Sequence, residues 1–578
     1  MGHQRSRVLL WAALSGVLWA LAWPGIGGAT PLAFVAWLPL LHAERSHDRR
    51  TAGRKRAFAP YAMLAAFIWN ASCSWWFFAV EEPLATRMVS GLAPMCVNTL
   101  LMTVPWWLKR ITRHVAGART AALAFIAYWL AFEHLHHAWD LQWPWFSLGN
   151  VFGSRPAWVQ WYELTGMLGG SAWILLVNTL LDRIVVHGSE RSAFQLRRVF
   201  PVSLVLLLPW SWSAWRFATY REDGQPSVEV VLVQPCVDPY TEKFGGMDAL
   251  EQVDRMLALA APAMTDSTAL VVLPETALQE GAFIDMSGTQ LEFHGLWENA
   301  IDQARSVRRL RNFQQLHPNA ALLAGMSSEF AHPPGVSPSL AARPMFADDD
   351  LPPGGQRWYT AYNAALFLPG HGPSEVYHKS KLVAGVESMP FERILGGLDA
   401  LAVDLGGMTG SLGIQEEREV LHDPGHDLQL VPAICYESVF GEHVAQHVRN
   451  GGELIAVITN DAWWGDTPGY HQHLTFSSLR AIETRRDVVR SANTGISAFI
   501  DQRGVVRGAT TWWERIAIRD TVHANTKLTF FTKAGDVIGR AALWIALSLL
   551  LFTFVKRWIA RGSFTASPNV DQDGTDHR

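Results

Sequence analysis

At 578 residues, 49% of them hydrophobic and only 17% charged, the chain is long enough for several domains or for a membrane part joined to one soluble domain. A net charge of −4 gives no reason to expect nucleic acid as a partner, and 27 tryptophans point to the headgroup level of a bilayer, where indole rings collect. The four cysteines (Cys73, Cys96, Cys236 and Cys435) lack metal-ligand spacing and two lie in apolar segments, so no disulfide framework, metal or cofactor is expected.

In chain order, apolar segments of bilayer-spanning length are predicted near 8–24, 30–43, 59–80, 88–107, 120–137, 163–185 and 199–216, with an eighth near 538–556. The connections alternate in charge. Loop 44–58 carries Arg45, Arg49, Arg50, Arg54, Lys55 and Arg56, loop 108–119 carries Lys109, Arg110, Arg113 and Arg119, and loop 186–198 carries Arg191, Arg197 and Arg198. The intervening loops hold one arginine (Arg87, Arg155) or none. Lys and Arg are retained on the cytoplasmic side, so the N-terminus is expected inside and residues 217–536 outside. The first segment lacks a clear small-x-small cleavage site and is expected to stay as a helix rather than leave as a signal peptide. Trp139-Asp140-Leu141-Gln142-Trp143-Pro144-Trp145-Phe146 reads either as an interfacial aromatic belt or as a wall beside a lipid, and His134, His136 and His137 read as interfacial.

From Val228 the texture changes to short β-branched runs at 228–233, 269–273, 320–324, 364–368, 428–434, 454–458 and 497–500, with amphipathic helical stretches at 249–263 and 473–489. Strands interleaved with helices predict a layered α/β domain. Residues 329–358, rich in Pro, Gly and Asp, read as a surface insertion without regular structure, and the polar tail from Ser563 as disordered. The expected domains are 1–220 (seven spans), 225–532 (catalytic), 536–558 (eighth span) and 562–578 (cytoplasmic tail).

Three of the β-type stretches end in polar residues: Val271-Val272-Leu273-Pro274-Glu275, Tyr377-His378-Lys379 and Val431-Pro432-Ala433-Ile434-Cys435. Taken singly, each has a plain reading as a loop carboxylate, a solvated lysine or a buried small hydrophobe. Taken together they supply acyl transfer: Glu275 as general acid–base, Lys379 as a fixed cation for an oxyanion, and Cys435 as nucleophile, with the nearby cation favouring thiolate.

This Glu-Lys-Cys set, each member after a strand, resembles the nitrilase or carbon–nitrogen hydrolase superfamily, and the eight spans around that domain resemble its membrane-anchored branch, the bacterial apolipoprotein N-acyltransferases. Pro274-Glu275-Thr276-Ala277, Tyr377-His378-Lys379 with Leu382-Val383 and Glu387, Ala433-Ile434-Cys435-Tyr436-Glu437, Asn460 to Gly465, Arg490 to Ser497 and Trp143-Pro144-Trp145 with Gly149 carry the likeness. The resemblance implies an α-β-β-α sandwich beside a polytopic helical membrane domain, in the bacterial inner membrane with its catalytic domain on the outer face. It also implies that Cys435 takes an acyl chain from the sn-1 position of a phospholipid and passes it to the amine of a diacylglyceryl-cysteine on an apolipoprotein, with Glu387, Tyr436 and Glu437 in support. Two stretches depart from the family pattern: Val383-Ala384-Gly385-Val386-Glu387 lacks an aromatic between its valine and glutamate, and Lys243-Phe244 stands where Lys-Trp is common. The residues alone leave open a membrane-tethered amidase or hydrolase that passes the acyl group to water, and, from another class, a non-catalytic scaffold.

Overall fold

A computed structural model describes residues 2–50, 57–186, 192–243, 246–286, 289–336, 339–346, 351, 355–391 and 411–562. The N-terminal part is helical: α1 (Gly2–Ala22), α2 (Leu38–Arg50), α3 (Ala59–Ser74), α4 (Leu84–His136), α5 (Met167–Val186) and α6 (Ser192–Thr219). The stretch predicted as a second span is divided, because a 3₁₀ turn at Thr30–Phe34 precedes α2. The fourth and fifth predicted spans form one element, α4, broken at Gly117, whose φ of 85° suits a residue without Cβ. Several basic residues assigned to loops are helical. Lys109 on α4 reaches Glu44 on α2 at 2.5 Å, and Arg110 and Arg113 reach Asp48 at 2.9 and 2.8 Å.

The following domain has two sheets. The first joins β1 (Ser227–Gln234), β2 (Thr268–Val272), β6 (Ala321–Ala331), β8 (Trp358–Leu368) and, near its rims, β5 (Leu296–Trp297), β7 (Ala342–Pro344), β9 (Glu375–His378) and β16 (Ile516–His523). The second runs β10 (Leu421–Asp423), β11 (Leu428–Ile434), β12 (Leu454–Thr459), β13 (Val488–Ala492), β14 (Ala498–Ile500), β15 (Val506–Arg507), and β3 (Ala282–Met286) with β4 (Thr289–Phe293) makes a separate hairpin. Alternation builds four layers. Val230 and Leu232 face Leu430, Ile458 and Val489 between the sheets, whereas Val231 and Val233 turn to the helices α7 (Ala249–Ala263) and α8 (Arg305–Leu316). Behind the second sheet, Val431 and Ile455 pack beside α9 (Gly441–Arg449) and α10 (Pro468–Thr484). The result is the expected α-β-β-α sandwich.

Two readings of this domain need correction. The helix predicted over 473–489 ends at Thr484, where Arg485 turns left-handed, and residues 488–492 leave the helical pattern to pair with β12. Within 329–358, β6 continues to Ala331 and β7 pairs with β8, because the extended β8 offers its edge to both. The tail from Ser563 and Phe244 lie outside the described residues.

The final helix, α11 (Val537–Gly562), returns to the bundle and packs Ala546 against Ala124, Tyr128 and Ala131 of α4. At its start Asp536 meets His134 at 2.6 Å. Among the described residues, five helical segments are long and apolar enough to cross a membrane: α1, α3 with its 3₁₀ extension, α4, α5 and α11. The tryptophans divide in a way composition does not reveal. Trp19, Trp23, Trp37, Trp69, Trp106 and Trp129 are fully buried among the helices, with Trp19 stacked on Trp69 at 4.8 Å and Trp37 against Trp129 at 5.1 Å. Their large flat rings fill the bundle core, while Trp11, Trp75, Trp107, Trp215, Trp544 and Trp558 stay on the outer surface.

Candidate active site

Three strand ends converge. Glu275 stands three residues beyond β2, Lys379 directly after β9 and Cys435 directly after β11, so both sheets contribute to one point. The Lys379 ammonium, 1% exposed, donates to Glu275 Oε1 at 3.2 Å and to Glu387 Oε1 at 2.7 Å. Asn363 on β8 donates from one amide nitrogen to both carboxylates, at 2.8 and 2.9 Å. The Asn460 backbone N–H donates to Glu275 Oε2 at 2.9 Å, and the Val383 N–H to Glu387 Oε2 at 2.8 Å. A buried carboxylate survives only with such a full set of donors. Gly325 on β6 is required here, since a Cβ on it would lie 2.5 Å from the Glu275 Cα.

Cys435 sits at φ 50°, a left-handed conformation that costs a non-glycine residue unless neighbours hold it. They do so from both sides. The Cys435 carbonyl accepts from the Ser438 hydroxyl at 2.7 Å and from His473 Nε2 at 3.0 Å. The far side of that ring faces Asp461 at 3.0 Å, and Arg490 donates to Asp461 at 2.5 Å. Glu437 ties the preceding strand to the lysine loop, accepting from the backbone N–H groups of Ile434 at 2.8 Å and Ser380 at 2.7 Å and from the Tyr377 hydroxyl at 2.8 Å.

These bonds give Glu437 a pH signature. Burial opposes its charge, but His443 and the backbone N–H donors outweigh burial and bring it down to about 2. Burial in turn lowers His443, while the carboxylate of Glu437 pulls the other way. A carboxyl depressed from 4.5 stabilises the fold above that pH and loses its contribution as pH falls toward 2. The thermal midpoint of the parent is therefore expected to fall more steeply over this window than that of Glu437→Gln. The difference should amount to roughly 3 kcal/mol in unfolding free energy, and parallel curves would refute it.

Burial, followed by the negative charge of Glu275, pushes the Cys435 thiol well above its ordinary range, and Lys379 pulls in the opposite direction without prevailing. The cation favours thiolate as expected in sign, but burial outweighs it, so the sulfur calls for the base expected in Glu275. Burial also opposes the Lys379 charge, yet Glu387 and Glu275 hold it above its ordinary value, so it remains an ammonium. Lys243 donates to the Thr276 hydroxyl and to the Glu275 carbonyl at 3.4 Å, and burial brings it down to about 7 against the pull of Glu275.

Lys243, Glu275, Asn363, Lys379, Glu387 and Cys435 line a cavity of about 850 Å³ that continues into the helical part. One wall carries Glu275, Lys379, Glu387 and Cys435; the other carries Trp76, Phe77 and, from α4, Val89, Val97 and Leu101. Tyr436 closes the junction, donating its hydroxyl to the Gln142 carbonyl at 2.9 Å and tilting against Trp143 at 6.0 Å. Ala384, Gly385 and Val386 form part of the rim. Trp145, 1% exposed, is no interfacial belt residue: it donates to Gln472 at 2.6 Å and packs on His473, directly beneath the cysteine turn. His134, His136 and His137 are likewise engaged separately, with Asp536, Asn98 and Ser147.

Cys435, Asp461 and His473 present ligand-type atoms within 4.8 Å of one another. Their lone pairs and protons are already committed to the cysteine carbonyl, Ser438, Thr459 and Arg490, so the group is built to hold a backbone turn rather than an ion. Sequence reasoning brought Glu275, Lys379, Cys435, Glu387, Tyr436 and Glu437 to this place. It gave no role to Asn363, although the residue opens a strand run recognised as such, nor to Asp461 and His473.

Comparison with known proteins follows the same division. Residues 15–180 match the family model described as apolipoprotein N-acyltransferase N-terminal domain, and residues 232–528 match that of carbon-nitrogen hydrolase. A Chlorobaculum tepidum protein named apolipoprotein N-acyltransferase is 29% identical over 558 residues, covering 94% of this chain and 96% of its own length. One of the same name from Geobacter metallireducens is 25% identical over 563 residues, 96% of each. Among solved structures, Saccharomyces cerevisiae Nit3, a member of branch 10 of the nitrilase superfamily, overlaps 53% of this chain and 92% of its own with TM-score 0.32 and 15% identity.

Proposed function

The chain belongs to the carbon–nitrogen hydrolase family, and from that premise we infer that it is a membrane-bound acyltransferase that N-acylates lipoproteins. The observation that carries this reading is the cavity, which joins a buried thiol, carboxylate and ammonium to the apolar face of α4. An acyl chain needs such a wall, whereas a small soluble amide does not.

In this reading Glu275 takes the proton of the Cys435 thiol as sulfur attacks the sn-1 ester carbonyl of a phospholipid. The Lys379 ammonium and backbone N–H groups stabilise the tetrahedral oxyanion. Collapse breaks the C–O bond, Glu275 returns the proton to the departing lysophospholipid oxygen, and a thioester remains on Cys435. The α-amine of a diacylglyceryl-cysteine then attacks the thioester carbonyl. Its proton passes to Glu275, the C–S bond breaks and the sulfur is reprotonated. Glu387 keeps Lys379 charged and placed, Glu437 fixes the two loops, and Tyr436 sets the mouth of the pocket.

The reading divides the chain into residues 1–220, 225–532, 536–558 and 562–578. It has the bundle cross the bacterial inner membrane eight times, with α4 crossing twice about Gly117 and the catalytic domain on the periplasmic face. The basic cluster of Lys109, Arg110 and Arg113 marks the cytoplasmic side.

The test is the mass of the product. Purified protein in phospholipid vesicles with a diacylated lipopeptide is expected to add one acyl chain to the peptide and to release one lysophospholipid per transfer. Free fatty acid without a peptide gain would move the assignment to a hydrolase, and no acyl release at all would sink both.

A further inference from the structure

Away from the catalytic cavity, three ligand-type residues meet where the chain enters the α/β domain. Glu222 lies between α6 and β1, Asp487 directly precedes β13, and His523 ends β16. One carboxylate oxygen of each acid and a ring nitrogen of the histidine lie within 4.8 Å of one another. His523 Nδ1 stands 3.2 Å from Glu222 Oε2 and 3.8 Å from Asp487 Oδ2.

The state of these atoms is what makes the cluster unusual. Asp487 is fully buried, and its Oδ1 has no hydrogen-bond partner among the described residues; His523 Nδ1, a buried atom, has none either. Asp487 Oδ2 accepts the His523 backbone N–H at 2.9 Å, and Glu222 Oε1 accepts the Gln502 N–H at 3.1 Å, so each acid is fixed in place by backbone. The nearest side-chain cation, Arg507, stays 4.0 Å from Asp487 and is engaged at 3.2 Å by Asp520. Two carboxylates gathered about one imidazole nitrogen that makes no hydrogen bond, with Asp487 Oδ1 also without one, leave room for one further positive ligand.

We propose that Glu222, Asp487 and His523 form a binding site for a divalent transition-metal ion of the zinc class. One imidazole and two carboxylates are ligands that zinc accepts, and bonds of about 2.0–2.1 Å in a tetrahedron set neighbouring ligand atoms about 3.3 Å apart; His523 Nδ1 already stands at 3.2 Å from Glu222, and a small inward shift of Asp487 from 3.8 Å closes the set. Water completes the fourth position. His523, 30% exposed at its side chain, opens the site to solvent and gives the ion its way in. The ligands come from the segment leaving α6, from the second sheet and from the first, so the bound ion ties the domain's entry point to both sheets. The role is structural, since the site is separate from the cavity that holds Cys435.

The experiment uses the full-length protein in detergent with Cys435→Ser, which removes the thiol beside Asp461 and His473 as a competing ligand. Cobalt(II) titration is expected to saturate at one equivalent with a visible absorption typical of four-coordinate oxygen and nitrogen ligation. Asp487→Asn and His523→Gln should each weaken binding by at least about tenfold. Zinc should raise the thermal midpoint of the parent, and EDTA should reverse the rise. No saturable binding, or binding indifferent to both substitutions, overturns the proposal and leaves a shared proton as what joins the carboxylates. Should Asp487→Asn fail to fold, the partly exposed His523→Gln variant and the zinc dependence of the parent's midpoint decide alone, and a midpoint unmoved by zinc overturns it equally.

Discussion

Alanine in place of Cys435 is expected to abolish the acyl-enzyme and to slow acyl transfer by roughly 10⁴-fold or more, the scale on which removal of a covalent nucleophile acts. The reading is direct. After exposure to phospholipid without acceptor, the parent should gain the mass of one acyl chain and Cys435→Ala should gain none. The fold should tolerate the change. Cys435 is 8% exposed, its turn is held through its carbonyl rather than its sulfur, and one lost sulfur atom in a roomy cavity costs about 1 kcal/mol. Undiminished transfer by the alanine variant would remove Cys435 from the reaction altogether.

Lys379→Met is expected to have a double effect. Activity should fall by about 10³-fold, because the pocket loses the fixed charge that meets the oxyanion. Stability should fall as well, by about 3–5 kcal/mol, because Glu275 and Glu387 would be left facing one another in a buried site with Asn363 as their shared donor. The two effects separate in the double variant Lys379→Met with Glu387→Gln. Removing one of the two stranded carboxylates should restore much of the thermal midpoint and none of the transfer rate. Recovery of both together would mean that Lys379 serves only the fold.

The proposed catalytic set was legible because Glu275 and Cys435 close apolar runs and Lys379 a short β-type one, and such runs place a polar residue at a strand's carboxyl end. Asn363 was not, since a single amide in mid-strand has no periodic signature; its meaning lies in two carboxylates, 88 and 24 residues away, that only the sheet brings together. His473 and Asp461 escaped for the same reason. The helix over-extended to 489 shows tertiary pairing overriding local pattern: Val488 and Val489 suit either state, and the vacant edge of β12 decides. Among the helices, six of the eight predicted apolar stretches fall on the five membrane-length helices and those at 30–43 and 199–216 do not; hydropathy could not see that α4 carries two of them in one bent element, nor that tryptophans would fill the bundle's interior.

The way α11 closes on α4 bears on how the protein is made. The ribosome finishes the entire catalytic domain before it starts this helix, yet α11 supplies the neighbour for Ala124, Tyr128 and Ala131, and the residue beginning it, Asp536, anchors His134. The other arm of α4 lines the cavity. The arm of α4 that packs against α11 therefore gains this lateral support only after every residue of the α/β domain has been made.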